Sequence, residues 1–114
     1  MKDRSSLALP PLTHLQFLIL GVVRAGDTPG RAVRDALAEY GVRRTAPAFY
    51  QVMARLEKAR LVEGWYEQIA VGDQNVTERR YRITPEGGRL WTRAQAFYQD
   101  VGRLSAGVRW SDAF

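Results

Sequence analysis

The chain has 114 residues, 46% of them hydrophobic and 25% charged, enough for one domain with a modest core. It contains no cysteine, which excludes a disulfide framework and any thiolate metal site, and it has no apolar run of about 18 residues that would read as a membrane span. The formal net charge is +5, and 15 of the 17 cationic residues are arginine. Arginine's planar fork suits phosphate and guanine edges, so nucleic acid is the leading partner class; solubility alone or attraction to anionic lipid are the alternatives.

The opening "MKDRSSLALPPL" has a charged start without a sustained apolar segment, so it reads as a short arm over residues 1–11 and not as a signal peptide. "THLQ" places Thr13 and Gln16 at capping-box spacing. Leu15, Leu18, Ile19, Val22 and Val23 follow at helical spacing, and the helix ends near Gly26. Thr28 and Pro29 read as the N-cap and first residue of a second helix, with Gly41 as its stop. Thr45 opens a third helix that tolerates Pro47 in its first turn, buries Phe49, Val52, Met53 and Leu56, and runs to about Arg60. Two β-rich runs, Leu61 to Val71 and Val76 to Thr84, flank the turn cluster "GDQN" and predict a hairpin. Thr84 and Pro85 then start a long last helix.

Helix, helix, helix, hairpin, helix is the order of a winged helix-turn-helix, with "GVRR", Gly41 to Arg44, as the short turn between its second and third helices. The expected class is α+β, mainly α. A two-stranded wing is expected over about 62–83, and a recognition helix over about 45–60. The units expected are the arm at 1–11, a DNA-binding domain at 12–84 and a C-terminal helix at 85–114.

The third helix carries the functional expectation. At 100° per residue its apolar side chains gather on one face, which leaves Pro47, Gln51, Arg55 and Lys58 outward with Tyr50 on the flank. From Arg43 to Arg60 there are five cations and one acid, Glu57. A helix N-terminus with basic neighbours suits a phosphate, and recognition helices present their N-terminal residues to base edges. Gln51 and Tyr50 are therefore expected at bases or sugars, and Arg43, Arg44 and Thr45 at phosphates, with Arg55 and Lys58 further along. Tyr50 also reads as a core-flanking aromatic, Arg55 as a partner of Glu57 or Glu63, and Arg60 as a complement to the helix dipole. In the hairpin, "TERRYRIT" loads Arg79, Arg80 and Arg82 onto one strand. Either these reach the flanking backbone or minor groove, or they form a solvated edge that discourages aggregation.

Two stretches resemble the PadR family of bacterial transcriptional regulators. "TAPAFYQVMARLEKARLVEG" matches its third helix through Phe49, Tyr50, Val52, Met53, Arg55, Leu56, Glu57, Leu61 and Val62. "ERRYRITPEGGRL" matches its wing end through Arg79, Arg80, Tyr81, Arg82, Ile83, Thr84, Pro85, Glu86 and Gly87, and "LTHLQFLIL" is similar to its opening helix. The chain departs from the family pattern at Pro47-Ala48, where Gly-Thr is usual, at Arg60, where Gly is usual, and at "PGRAV", where the second helix usually starts with Gly-Tyr.

In the last helix Leu90, Ala94, Phe97, Val101, Leu104 and Val108 are spaced 4, 3, 4, 3, 4, a heptad seam. It predicts a homodimer, as the resemblance also implies, with packing on the chain's own first helix as the alternative. A two-fold dimer would meet a pseudo-palindromic operator. The resemblance further suggests a small hydrophobic or aromatic effector, for which Trp91 and Tyr98 are the speculative contacts; interface or surface packing is the competing role for these aromatics and for Trp110. A lone His14 and the absence of GxSxG, P-loop and GxGxxG patterns argue against an enzyme, and neither cofactor nor metal is expected. The expectation is a cytoplasmic DNA-binding regulator, in the manner of a repressor. The rival is a winged-helix adaptor that binds protein and has no duplex affinity.

Overall fold

The computed structural model describes residues 8–107. Helix α1, His14–Val23, starts on the expected capping box. Gln16 N donates to Thr13 Oγ1 at 3.1 Å, and Thr13 N donates to Gln16 Oε1 at 3.0 Å, satisfying two orphan amides reciprocally.

The next segment differs from the expectation. Thr28 and Pro29 form a short strand, β1, and helix α2 is Gly30–Glu39 with no side-chain cap. The Thr28 hydroxyl turns back to donate to Gly26 O at 2.9 Å, so it cannot cap α2. Proline is tolerated in β1 because the strand lies at a sheet edge, where an absent N–H costs no ladder bond.

Helix α3, Ala46–Lys58, is capped by the Thr45 side chain, which accepts from Ala48 N at 3.3 Å. It ends at a six-residue reverse turn in which Arg60 N donates to Glu57 O at 2.9 Å and Leu61 N to Leu56 O at 3.0 Å. Such a turn places one residue in the left-handed region, usually glycine. Here Arg60 occupies it at φ 62°.

Strands β2, Val62–Val71, and β3, Gln74–Ile83, form a long antiparallel hairpin. Its turn is the two residues Gly72-Asp73, so Gln74 and Asn75 belong to β3 and pair with Val71 and Ala70. β1 joins the other edge of β3, giving the sheet order β1-β3-β2, one short strand more than the sequence suggested.

Helix α4, Pro85–Gly107, starts on Thr84, whose Oγ1 accepts from Gly87 N and donates to Arg60 O at 2.8 Å. A Cβ on Gly87 would collide with the Leu61 carbonyl, so the first turn of α4 lies directly on the α3–β2 turn.

The core gathers Ile19, Leu20 and Val23 of α1, Val33 and Leu37 of α2, Phe49, Met53 and Leu56 of α3, then Leu61, Val62, Tyr81 and Trp91. Each large side chain buried there contributes about 2 kcal/mol. With three such anchors on one face of α3, its opposite face has no choice but to point outward.

The C-terminal seam divides in two. Ala94 is fully buried and the partly buried Leu90 packs on the core, so both serve the chain's own fold. Phe97 is half-buried, Val101 and Leu104 are exposed, and Val108 lies outside the described residues, as do Trp110 and most of the N-terminal arm. The cause is length. The 23-residue α4 runs about 35 Å while the 10-residue α1 offers about 15 Å of surface, so only the first half of α4 finds a partner within the chain.

Trp91 stacks on Phe17, with ring centroids 5.5 Å apart and planes 4° from parallel, and the Arg24 guanidinium sits 3.9 Å from the Trp91 ring centre. The indole is thereby packed within the chain, and it also lines a cleft with Leu18, Gly21, Val22 and Tyr40. Tyr98 is half-buried and tilts against Phe17 and His14.

Candidate nucleic-acid interface

The exposed face of α3 presents Pro47, Gln51, Ala54, Arg55 and Lys58, with Arg43, Arg44 and Thr45 at its N-terminal end. Among the described residues, none of Arg43, Arg44, Arg55 and Lys58 has a carboxylate oxygen within 4.0 Å. Arg55 therefore pairs with neither Glu57 nor Glu63; both acids are taken by other arginines. Two of the four cations lie at the α3 amide terminus and two in its last turn, with the exposed Pro47, Gln51 and Ala54 between them.

The helix-turn-helix turn is held by a residue that sequence reasoning missed. Arg34 of α2 donates to Arg44 O at 3.0 Å, immediately before the Thr45 cap. Arg34, Arg43 and Arg44 line a cleft of about 240 Å³ whose floor is Leu37, Val42 and Phe49. Arg34 lies ten residues from its acceptor, on another helix, and no local pattern announces that contact.

Tyr50 flanks the core and stays partly open to solvent. Its ring packs edge-on against Phe49, with centroids 5.0 Å apart, and it remains 37% exposed. Its hydroxyl lies over Gly30, where a Cβ would stand 2.9 Å from that oxygen. Glycine at the start of α2 leaves room for this tyrosine and for Tyr81 beneath it.

The wing arginines are placed differently from a phosphate-reading expectation. Arg79 pairs with Glu57 of α3. Arg80 bonds Glu78 at 2.7 Å and lies 3.3 Å from Glu67, while Glu78 also pairs with Arg31 of α2 at 3.4 Å. Arg82 bonds Glu63, its direct cross-strand partner, at 2.9 Å and stacks 5.1 Å over Trp65. Residues 62–83 hold three arginines but four acids, Glu63, Glu67, Asp73 and Glu78. Opposite charges facing each other across strands attract, as for Arg82 and Glu63, while Arg79 reaches outside the hairpin to Glu57 of α3. Between α3 with its leading turn and the wing, the cations without a carboxylate partner among the described residues are those of α3 and its turn.

Tyr81 lies at the centre of this arrangement and is almost wholly buried. Burial pushes its phenol pKa up, and the neighbouring Arg79 guanidinium only partly opposes this. Arg79 itself loses solvation in the same place, but its interactions with Tyr81 and with the Glu57 charge outweigh that loss and raise its pKa. Both groups keep their protons at neutral pH. No helix is long and apolar enough to cross a membrane among the described residues.

No protein-family model and no curated protein matches the sequence. Solved structures do match in three dimensions. A PadR-family transcription regulator from Clostridium difficile superposes with a TM-score of 0.69 at 15% identity, over 81% of this chain and 94% of the other. A PadR-family transcriptional regulator from Eggerthella lenta gives 0.60 at 28% identity, over 82% and 83%. Bacillus subtilis PadR, solved in complex with operator DNA, gives 0.57 at 18% identity, over 70% of this chain and 46% of that longer one. The capped helices, the long hairpin and the extended last helix of this chain thus make up the winged helix-turn-helix fold of the PadR-family transcription regulators.

Proposed function

We propose that the protein is a transcription regulator that binds double-stranded DNA as a homodimer, with α3 in the major groove. The observation that carries this reading is the exposed face of α3, with Arg43 and Arg44 beside its capped start and Arg55 and Lys58 in its last turn, none of them with a carboxylate partner among the described residues. Arg43, Arg44 and the Thr45 amide terminus hold phosphates, Gln51 meets base edges, and Tyr50 lies against sugar or base at the groove wall. Arg55 and Lys58 extend the charge toward the flanking backbone. The wing lies alongside, with Arg82 as its most exposed cation.

Residues 12–84 form the DNA-reading unit and residues 85–114 the dimerisation helix, preceded by an arm at 1–11. Phe97, Val101 and Leu104 make the subunit contact. The role is regulatory and not enzymatic, and repression through a pseudo-palindromic operator is the form proposed. A small apolar effector that releases DNA would act through the half-buried Tyr98 and the subunit contact, since Trp91 is already packed. A PadR structure with operator DNA among the structural neighbours supports duplex DNA as the partner.

The test is fluorescence anisotropy with the duplex upstream of the protein's own gene and a scrambled duplex. Tight, salt-sensitive binding with a clear preference for the native duplex is expected. Absence of binding to either at low salt would instead favour a protein-docking adaptor.

A further inference from the structure

The geometry points to Glu57 and Arg79 as a strut that sets the angle between the recognition helix and the wing, with Arg79 a positioning residue and not a phosphate ligand. This rests on the DNA-binding reading and goes a step into its mechanics. Three observations converge on it.

The first is connectivity. Only Ala59, Arg60 and Leu61 lie between α3 and β2, and the turn they make pivots on a single left-handed residue. Among the described residues, the Glu57–Arg79 pair is the one ion pair that ties α3 to the sheet. It closes the lever that the turn opens.

The second is the seat. Gly64 faces the pair from β2. A Cβ there would overlap Glu57 Oε1 and stand 2.7 Å from an Arg79 guanidinium nitrogen. The strand gives up a side chain at the one place where the pair must pass.

The third is the enclosure of the guanidinium. Its centre lies 4.6 Å from the Tyr66 ring and 5.4 Å from the Tyr81 ring. The Arg79 and Glu57 side chains are only 22% and 26% exposed. A phosphate ligand must offer its fork to the backbone. Arg79 offers its fork to Glu57 and its faces to two tyrosines, whereas Arg43 and Arg44 are exposed and unpaired among the described residues.

The experiment compares the full chain with Glu57→Gln, Arg79→Gln and the double variant. Duplex affinity is measured across a salt series, and backbone amide exchange is followed without DNA. If the pair is a strut, both single variants lose affinity by a similar factor, about tenfold, as for coupled neighbours, and the double variant loses no more than either. The slope of log affinity against log salt stays at the wild-type value, and exchange quickens at 62–66 and 79–83 but not in α1. If Arg79 is a phosphate ligand, Arg79→Gln lowers the slope by about 0.9, and Glu57→Gln strengthens binding by releasing a competitor; either result overturns the inference. Should the wild type bind no duplex, the DNA-binding reading fails, and amide exchange alone decides the strut. Faster wing exchange in both variants upholds it, and unchanged exchange refutes it.

Discussion

Replacing Arg60 by glycine should make the protein more stable, although it removes a whole side chain. Arg60 sits at φ 62°, just past the end of α3. An L-residue held there costs about 1–2 kcal/mol relative to a residue without a Cβ. Glycine regains that cost but loses about 0.5–1 kcal/mol through the greater freedom of its unfolded chain. The net gain is about 0.75 kcal/mol at the midpoints of these ranges, which together span about 0–1.5 kcal/mol. The hydrogen bonds of the turn use backbone atoms alone, and the Thr84 hydroxyl reaches the Arg60 carbonyl, so glycine keeps all of them. Arg60 is exposed and has no carboxylate partner among the described residues, so little else is lost. A gain of that size corresponds to about 2–6 °C in Tm for a domain of this length. The assay is urea and thermal unfolding of wild type, Arg60→Gly and Arg60→Ala. Alanine removes the charge but keeps the Cβ, so it should show no such gain. Equal stability of the glycine and alanine variants would refute the backbone explanation.

Three further outcomes are expected. Gly87→Ala drives a Cβ into the Leu61 carbonyl and should cost about 1–3 kcal/mol by forcing α4 off the α3–β2 turn, read as a lowered urea midpoint. Leu104→Asp should dissociate the proposed dimer in sedimentation with the wild-type melting profile of the monomer unit retained, because Leu104 is 68% exposed and supports no core contact; an unchanged dimer mass would remove this part of α4 from the interface. Tyr81 has a folded pKa raised above its ordinary 10.0 by burial. The folded state therefore holds the proton more tightly than the unfolded state, and this contribution is complete below pH 10 and lost as pH rises toward the folded pKa. Unfolding followed from pH 8 upward should show that alkaline loss in wild type, and Tyr81→Phe should lack the part due to Tyr81.

The helices were legible because their start signals are local chemistry. Thr13, Thr45 and Thr84 each sit one residue before a helix and each side chain accepts an amide of the first turn. Thr28 carries the same sequence signal and fails, because its hydroxyl finds Gly26 O and its backbone finds β3. A two-residue strand has no periodicity to read. The outward face of α3 followed directly from the spacing of Phe49, Met53 and Leu56. The heptad pattern of α4 was visible, but the sequence could not divide it. Which half packs on α1 depends on where the preceding wing delivers the helix, a tertiary fact. The ion pairs of the three wing arginines were not legible in the sequence. Their acidic partners are spread over Glu57, Glu63, Glu67 and Glu78, and only register and topology bring each pair together. Arg34 was invisible for the same reason.

The most direct test of the account is the salt dependence of duplex binding by wild type, Arg43→Ala/Arg44→Ala and Gln51→Ala. The account predicts a steep wild-type slope that falls by about 1.8 when two phosphate contacts are removed. Gln51→Ala should keep the slope and narrow the preference for the native duplex, by about 1–3 kcal/mol for one lost base contact. A wild-type slope that survives loss of Arg43 and Arg44, with the native preference intact in Gln51→Ala, would contradict the claim that α3 and its leading turn read the DNA.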